Sequence, residues 1–356
     1  MLRRDFLKKA RNEKDCEYYT QAGDIEDECK HYSRQFRGKT ILCNCGDSYE
    51  SEFFKYFAVR FNTLGLKKLI AVSYASSKKA GTEVPLSELG VPAGHGYRIE
   101  LTRLDDFNND NTTDLEDVKW LFRHDKSVVT PLKGDGDFRS GECDALLDEA
   151  DIVVTNPPYE LFSEFVVRLQ RRHKGFIILG SINSLTYKDI FPMIMDNSIR
   201  IGYHRTADRM WFESGSDDAG TCAGEKVPDG KKIQNGKLYV NMPVIWYTSL
   251  DKKGCNTPLS LYKSYSPEEY PRYDNYDAIN VNRTADIPFD YDGVMGVPIT
   301  FLNDFCLAQF EILGCTESEG LGLSNGLWDE SSGVRQPMIN GRMLYKRIFI
   351  RRKAAA

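Results

Sequence analysis

The chain has 356 residues, 41% of them hydrophobic, and a formal net charge of −5; that length can bury a full core in one large or two smaller domains. No apolar run reaches the length of a membrane span, and Met1–Lys9 lacks the core of a signal peptide. Nine cysteines, with only Cys43 and Cys45 close together, give neither a CxxC zinc pattern nor an even disulfide count, so a reduced, cytosolic protein is expected.

In chain order, Asp24 to Gln35 has helical character and stops before Gly38. Thr40-Ile-Leu-Cys-Asn-Cys45 reads as a first buried strand. Gly46-Asp47-Ser48 follows, then an amphipathic helix through Phe53, Phe54, Phe57 and Phe61. Lys68 to Tyr74 is a second strand after a break at Gly65. Residues 75–130 are less regular and long enough to be an insertion. Gly134-Asp135-Gly136-Asp137-Phe138 then precedes a helix at 140–149, a strand ending in Asn156-Pro157-Pro158-Tyr159, and a helix near 160–171. A strand at 174–180 and a helix at 189–196 complete the alternation. Strand and helix in turn predict an α/β fold, a mostly parallel sheet with helices on both faces. From about 203 the pattern changes. Gly215 to Gly236 reads as an exposed loop, and Tyr239 to Thr248 as one further strand. The expected organisation is a core over 1–200, with 201–356 finishing the sheet and adding a recognition region and a tail.

The most informative stretch is Asp151-Ile-Val-Val-Thr-Asn-Pro-Pro-Tyr159. Its apolar, β-branched run suits a buried parallel strand. Asn156 offers a side-chain carbonyl. Pro157 has no N–H, and Pro158 pushes Pro157 into an extended conformation, so the turn is stiff and its carbonyls aim outward. Tyr159 adds a flat ring with a polar tip. Two acceptors and a stacking face at the end of a strand can hold a planar amine, as enzymes that extrude a nucleobase do. The bland alternative is a tight loop after a strand.

The chain resembles the EcoRI-type family of adenine-specific DNA methyltransferases over nearly its whole length. The likeness rests on Tyr18-Tyr19-Thr20-Gln21, Cys43-Asn44-Cys45 with Tyr49-Glu50-Ser51, and Phe53-Phe54-Lys55-Tyr56-Phe57. It continues through Gly134 to Arg139, Asn156 to Tyr159, Leu161-Phe162, Tyr265 to Asn282 and Asp290 to Pro298. The resemblance implies a class I methyltransferase fold, S-adenosylmethionine as donor and double-stranded DNA as substrate. It implies Asn156, Pro157, Pro158 and Tyr159 as the catalytic motif, and an enzyme acting as a monomer. A cognate restriction endonuclease is compatible with this reading but not implied. Two departures stand out. Such folds usually carry Phe-x-Gly-x-Gly after the first strand, where this chain has Asn44-Cys45-Gly46-Asp47-Ser48, and the second strand ends without an acidic residue.

On the cofactor side, Tyr19 and Thr20 precede a helix that they can cap while reaching the donor's amino-acid end. Cys45 and Asp47 follow the first strand, where cofactors sit in such sheets; Asp47 can accept from an ammonium or cap the next helix. Ser73 and Tyr74 end the second strand beside the expected ribose and adenine pocket. Asp135, Asp137 and Phe138 stand near the motif strand, where a carboxylate suits the donor's adenine amine, although Gly-Asp steps are also ordinary turn chemistry. No metal site is expected. Asp106 to Asp117 has the oxygen spacing of a calcium loop, with Asn111 in place of Gly and Asp117 in place of Glu. The alternative is an acidic loop with Asp114 capping a helix. An acidic protein that binds duplex needs a local basic face. Arg171 to Lys174, the spread Arg200, Arg205 and Arg209, and the tail Lys346-Arg347 with Arg351 to Lys353 are the candidates. Two rivals share the motif: an RNA or protein (glutamine) methyltransferase, and an inactive DNA-binding relic of the fold.

Overall fold

A computed structural model describes residues 18–46, 48–75, 77, 80–92, 94–206, 210–214, 229–254, 257–317 and 320–353. The chain divides into two units, Met1–Pro158 with Asp208–Val244, and Tyr159–Ala207 with Ile245–Ala356.

The first unit opens on β1 (Tyr18–Tyr19) and α1 (Ala22–Cys29). Tighter turns through Phe36 prolong α1 to a stop at Gly38, whose φ of 70° only glycine adopts freely. Strand β2 (Thr40–Gly46) is buried along its first five residues. Helix α2 (Glu52–Val59), capped by the Ser51 hydroxyl on the Phe53 N–H, buries Phe53, Phe54 and Phe57 against the sheet. Gly65 then takes the left-handed cap that turns the chain into β3 (Lys68–Ser73).

The stretch 75–130 is more ordered than its sequence suggests. It contains β4 (Tyr97–Leu101), with Tyr97, Ile99 and Leu101 buried in strict alternation, and α3 (Leu115–His124). It leads into β5 (Val129–Pro131). After α4 (Gly141–Glu149) comes β6 (Ile152–Thr155), buried throughout. Within this unit the strand order is β5-β4-β3-β2-β6. β2 runs parallel to both β3 and β6, and β4 runs antiparallel to both β3 and β5. Only β4 is therefore reversed, and the carboxyl ends of β2, β3 and β6 share one edge.

In the second unit α5 (Phe162–Arg171) and β7 (Gly175–Ser181) follow, then β8 (Arg200–Ile201). The chain returns to the first unit for β9 (Met210–Ser214), β10 (Lys231–Gln234) and β11 (Lys237–Met242). These form an antiparallel sheet with β1, in the order β1-β9-β11-β10. Residues 215–228 of the expected exposed loop lie outside the described residues, and its end is the first arm of the β10–β11 hairpin. The single strand expected over Tyr239–Thr248 is two. Pro243, which cannot donate to a ladder, separates β11 from β12 (Val244–Thr248). The second unit is completed by β13 (Ile279–Asn280), β14 (Met295–Pro298), β15 (Phe310–Cys315), the hairpin β16 (Met338–Ile339) and β17 (Arg342–Met343), and β18 (Arg347–Arg352). Its strands order as β7-β12-β8 and as β13-β14-β18-β15.

Candidate active site

Parallel pairing of β2 with β6, Ile41 opposite Ile152 and Leu42 opposite Val153, brings Asn44 level with Thr155. The Thr155 hydroxyl donates to the Asn44 carbonyl in the buried layer. Asn156, Pro157 and Pro158 therefore leave β6 beside the Cys45–Gly46 turn that leaves β2. The Asn156 side-chain oxygen is buried, Pro157 is buried and Pro158 is exposed. Tyr159, half-buried, opens the short helix Tyr159–Leu161 at the start of the second unit.

The other side of the crevice is built by β3 and the 134–138 loop. The β2–β3 ladder slips between Cys43 and Gly46, and the Tyr74 N–H then donates to the Gly46 carbonyl at 3.2 Å. The Ala75 N–H donates to the Asp135 carbonyl at 2.8 Å. Gly136 has φ 86°, and a Cβ there would sit 2.3 Å from the Ser73 carbonyl oxygen. Only glycine lets the loop lie on the strand this closely. Three predicted segments (Cys45–Gly46, Ser73–Tyr74 and Asp135–Asp137) thus meet at one edge, next to Asn156.

Individual side chains differ from the expectations. Cys45 adopts the left-handed region at φ 63°, where a glycine-rich loop would place glycine. Its thiol is held well above the usual range, first by burial, then by the Cys143 thiol and the Asp137 carboxylate. Asp137 is clasped by Arg139, whose guanidinium donates to both carboxylate oxygens at 2.6–3.2 Å. Asp135 is exposed, and among the described residues its side chain accepts the Asp137 N–H alone, at 3.0 Å. Phe138 is buried, and Tyr74 is 39% exposed. Tyr19 and Thr20 belong to the antiparallel sheet region; Gln21 is the N-cap of α1, and no side chain caps it, contrary to the capping expected of this segment. Asp47 lies outside the described residues.

Buried polar atoms without a hydrogen-bond partner test whether this edge suits a polar ligand. The Asn44 side-chain oxygen and the Ser73 hydroxyl, on β2 and β3, are in that state, as is the Thr20 hydroxyl beside β1, and burying such groups unpaired is costly. The residues therefore fit a ligand that brings its own donors and acceptors. Sequence reasoning gave Asn44 and Glu50 no role. An Asn inside the run Thr-Ile-Leu-Cys-Asn-Cys was the available signal for the first. Glu50 is 4% exposed; one carboxylate oxygen accepts the Gly81 and Glu83 N–H groups, and the other has no partner. Burial raises its pKa against the pull of those N–H groups.

The acidic loop is wired to itself. Asp117, fully buried, accepts the N–H groups of Phe107, Asn108 and Asp114, and forms a capping box with Asp114. Asp106 accepts from Asp110 and Asn111. The left-handed turn at Asn111 is present, at φ 68°. Among the described residues no cluster of three or more His, Cys, Asp or Glu side chains could hold a metal ion, and none of their helices is long and apolar enough to cross a membrane. Several of the basic candidates are used internally. Arg200 bonds Asn197 and the Leu250 carbonyl, Arg205 grips Asp304, Arg347 is buried against Asn280, and Arg351 pairs with Glu311.

Comparison with known proteins adds three relatives and a family. Type II methyltransferase M.EcoRI of Escherichia coli is 40% identical over 98% of this chain and 96% of the relative. Type II methyltransferase M.MpnI of Mycoplasma pneumoniae is 34% identical over 87% of this chain and 85% of the relative. Type II methyltransferase M.MgeORF184P of Mycoplasma genitalium is 34% identical over 97% of this chain and 98% of the relative. No solved structure matches. The family profile described as adenine-specific methyltransferase EcoRI covers residues 6–353. With that profile across nearly its full length, and its Asn-Pro-Pro-Tyr turn set at the shared end of parallel strands, the chain belongs to the EcoRI family of adenine-specific methyltransferases.

Proposed function

We propose that this chain is a site-specific DNA methyltransferase that moves a methyl group from S-adenosylmethionine to the exocyclic N6 amine of an adenine extruded from duplex DNA. The observation that carries the proposal is the in-register parallel pairing of β2 with β6, which sets Asn156 and Pro157 beside the turn after β2. A class I methyltransferase binds donor and target at this edge of its sheet, so the first-unit strand order supports the same assignment.

The donor supplies a methyl group already activated by a sulfonium. This chain's residues have three tasks. Asn156 Oδ1 and the Pro157 carbonyl accept the two amine hydrogens, which turns the nitrogen lone pair outward and stabilises positive charge as it develops there. Tyr159 stacks on the extruded base. Asn44, Ser73 and Thr20 offer buried polar groups to the donor, and Asp135, which has no cation on it among the described residues, is better able than Asp137 to accept from the donor's adenine amine. No general base is needed, because the proton becomes acidic as the new bond forms.

The test is to express the chain in a host lacking adenine methylation and sequence its DNA for modified adenine, then repeat the transfer in vitro with labelled donor. Modified adenine at one recurring sequence is expected. Label that appears only in RNA or protein would overturn the proposal.

A further inference from the structure

The second unit carries a group of exposed side chains on one hairpin and its flank, of which Arg335 alone is seen against a neighbouring ring, that of Trp328 at 5.8 Å. In the β16–β17 hairpin, Met338 pairs with Met343 and Ile339 with Arg342. The turn residues Asn340 and Gly341 have φ of 49° and 73°, as the tight hairpin turn requires. The Asp274 carboxylate accepts both turn N–H groups, at 3.1 and 2.8 Å, which holds the tip in one shape. Met343 is nonetheless 68% exposed and Tyr345 82% exposed. Leu344, between them, packs against the buried cluster of Tyr273, Tyr276 and Phe349, and Arg347 is buried two residues beyond Tyr345. The backbone is thus anchored on both sides of a tyrosine whose ring meets solvent. Arg335 and Arg342 are exposed, and neither has an ion-pair partner among the described residues.

The position of this strip is set by contacts inside the second unit. Phe162, three residues after Tyr159, lies so close to Gly180 that a Cβ there would be 2.3 Å from its ring. It also packs on Tyr247, whose hydroxyl donates to the Ser181 carbonyl at 2.8 Å. The turn bearing Tyr159 therefore sits at the carboxyl end of β7. The chain leaves that end through the short helix Ile182–Thr186, and Lys346 Nζ donates to Thr186 Oγ1 at 3.4 Å. Tyr345 consequently stands at the same end of this unit as Tyr159.

We propose that Met343 and Tyr345, flanked by Arg335 and Arg342, form the surface on which this unit meets duplex DNA beside the target adenine, the apolar pair pressing into the stack that the adenine vacates. The proposal rests on the function proposed above. Extruding a base leaves a gap, and apolar side chains inserted between base steps offset the lost stacking. Arg342, and Arg335 from its place over the Trp328 ring, carry no ion pair among the described residues and supply phosphate contacts that fix register. The Asp274 carboxylate is engaged by the turn N–H groups, and the exposed Arg342 next to Met343 puts positive charge beside the apolar pair, which suits a phosphate backbone.

The experiment uses the sequence that the wild-type protein methylates, as a paired duplex and as a duplex in which the target adenine faces an abasic site. A separate copy of the paired duplex carries 2-aminopurine, which has no 6-amino group, at the target position and reports unstacking by fluorescence alone. Met343→Ala and Tyr345→Ala change exposed side chains, so thermal unfolding should match wild type. On paired duplex each should lower the fluorescence rise of the 2-aminopurine copy and the single-turnover methylation rate of the adenine copy, the rate on the order of 10- to 100-fold. On the abasic duplex, where extrusion is already cheap, rates should return to near wild type, and Tyr345→Phe should behave as wild type on both. Wild-type rates for both alanine variants on paired duplex would overturn the proposal and leave the strip to a protein partner. Equal losses on the two duplexes would overturn it as well. A wild-type protein that methylates no duplex would instead sink the function on which the proposal depends.

Discussion

At the scale of single residues, Asn156 and Tyr159 have separable roles. Asn156→Ala removes an acceptor needed most as the amine becomes charged, so methyl transfer should fall by about 10²–10³-fold. Donor affinity should stay near wild type, because the Asn156 side chain is assigned to the target amine. Single-turnover methylation at saturating donor reads the first and calorimetry the second; an unchanged rate would mean that the amine is held elsewhere. Tyr159→Ala should weaken target binding by roughly 1–3 kcal/mol, while Tyr159→Phe keeps the ring and should be near wild type. Buried thiols make a second prediction. Burial raises the Cys29 and Cys43 pKa values well above normal, whereas the unfolded chain ionises its thiols near 8.5. Above that pH the native state holds more protons than the unfolded one, so stability should fall as pH rises, by about 1.4 kcal/mol per pH unit for each thiol. Denaturant unfolding from pH 7.5 to 10 measures the slope, and Cys43→Ala should reduce it. A flat profile would show that these thiols are not protected in the native state.

At the scale of elements, the site depends on how closely the 134–138 loop lies on the end of β3. Gly136→Ala adds a Cβ 2.3 Å from the Ser73 carbonyl at a backbone conformation that side chains resist. A loss of about 2–4 kcal/mol in stability is expected, together with weaker donor binding, because Asp135 and Ser73 move apart. Donor affinity equal to wild type would separate this loop from the donor site. Legibility also differed by element. Strands β2, β3 and β6 were readable because burial on both faces leaves continuous apolar runs in the sequence. β4 was missed although Tyr97, Ile99 and Leu101 alternate in the chain, because a single five-residue alternation inside a polar stretch is a weak signal. Tyr239 to Thr248 reads as one strand by composition. The missing N–H of Pro243 is what splits it between two sheets.

At the scale of the whole molecule, a net charge of −5 means that binding a phosphate backbone has to rely on a local basic face, to which Arg200, Arg205, Arg347 and Arg351, engaged within the protein, contribute least. Each phosphate that this face neutralises releases counterions, so duplex affinity should fall by about 10²-fold between roughly 50 and 200 mM salt if four phosphates are contacted. Affinity indifferent to salt would remove duplex DNA as the partner. The sequence by itself determined the α/β alternation, the Asn-Pro-Pro-Tyr turn after a buried strand, and the family. Each of these is local, resting on residue type, on hydrophobic period or on a short motif, and each survives whatever the rest of the chain does. Only the tertiary structure decided that β4 runs against its neighbours and that Asp137 is occupied by Arg139. It also decided that Arg347 serves the core rather than a surface, and that the calcium-like loop turns its carboxylates onto its own backbone. Those outcomes depend on which groups meet across the fold. A carboxylate or guanidinium in a sequence carries its charge, but the partner that uses that charge is chosen by packing.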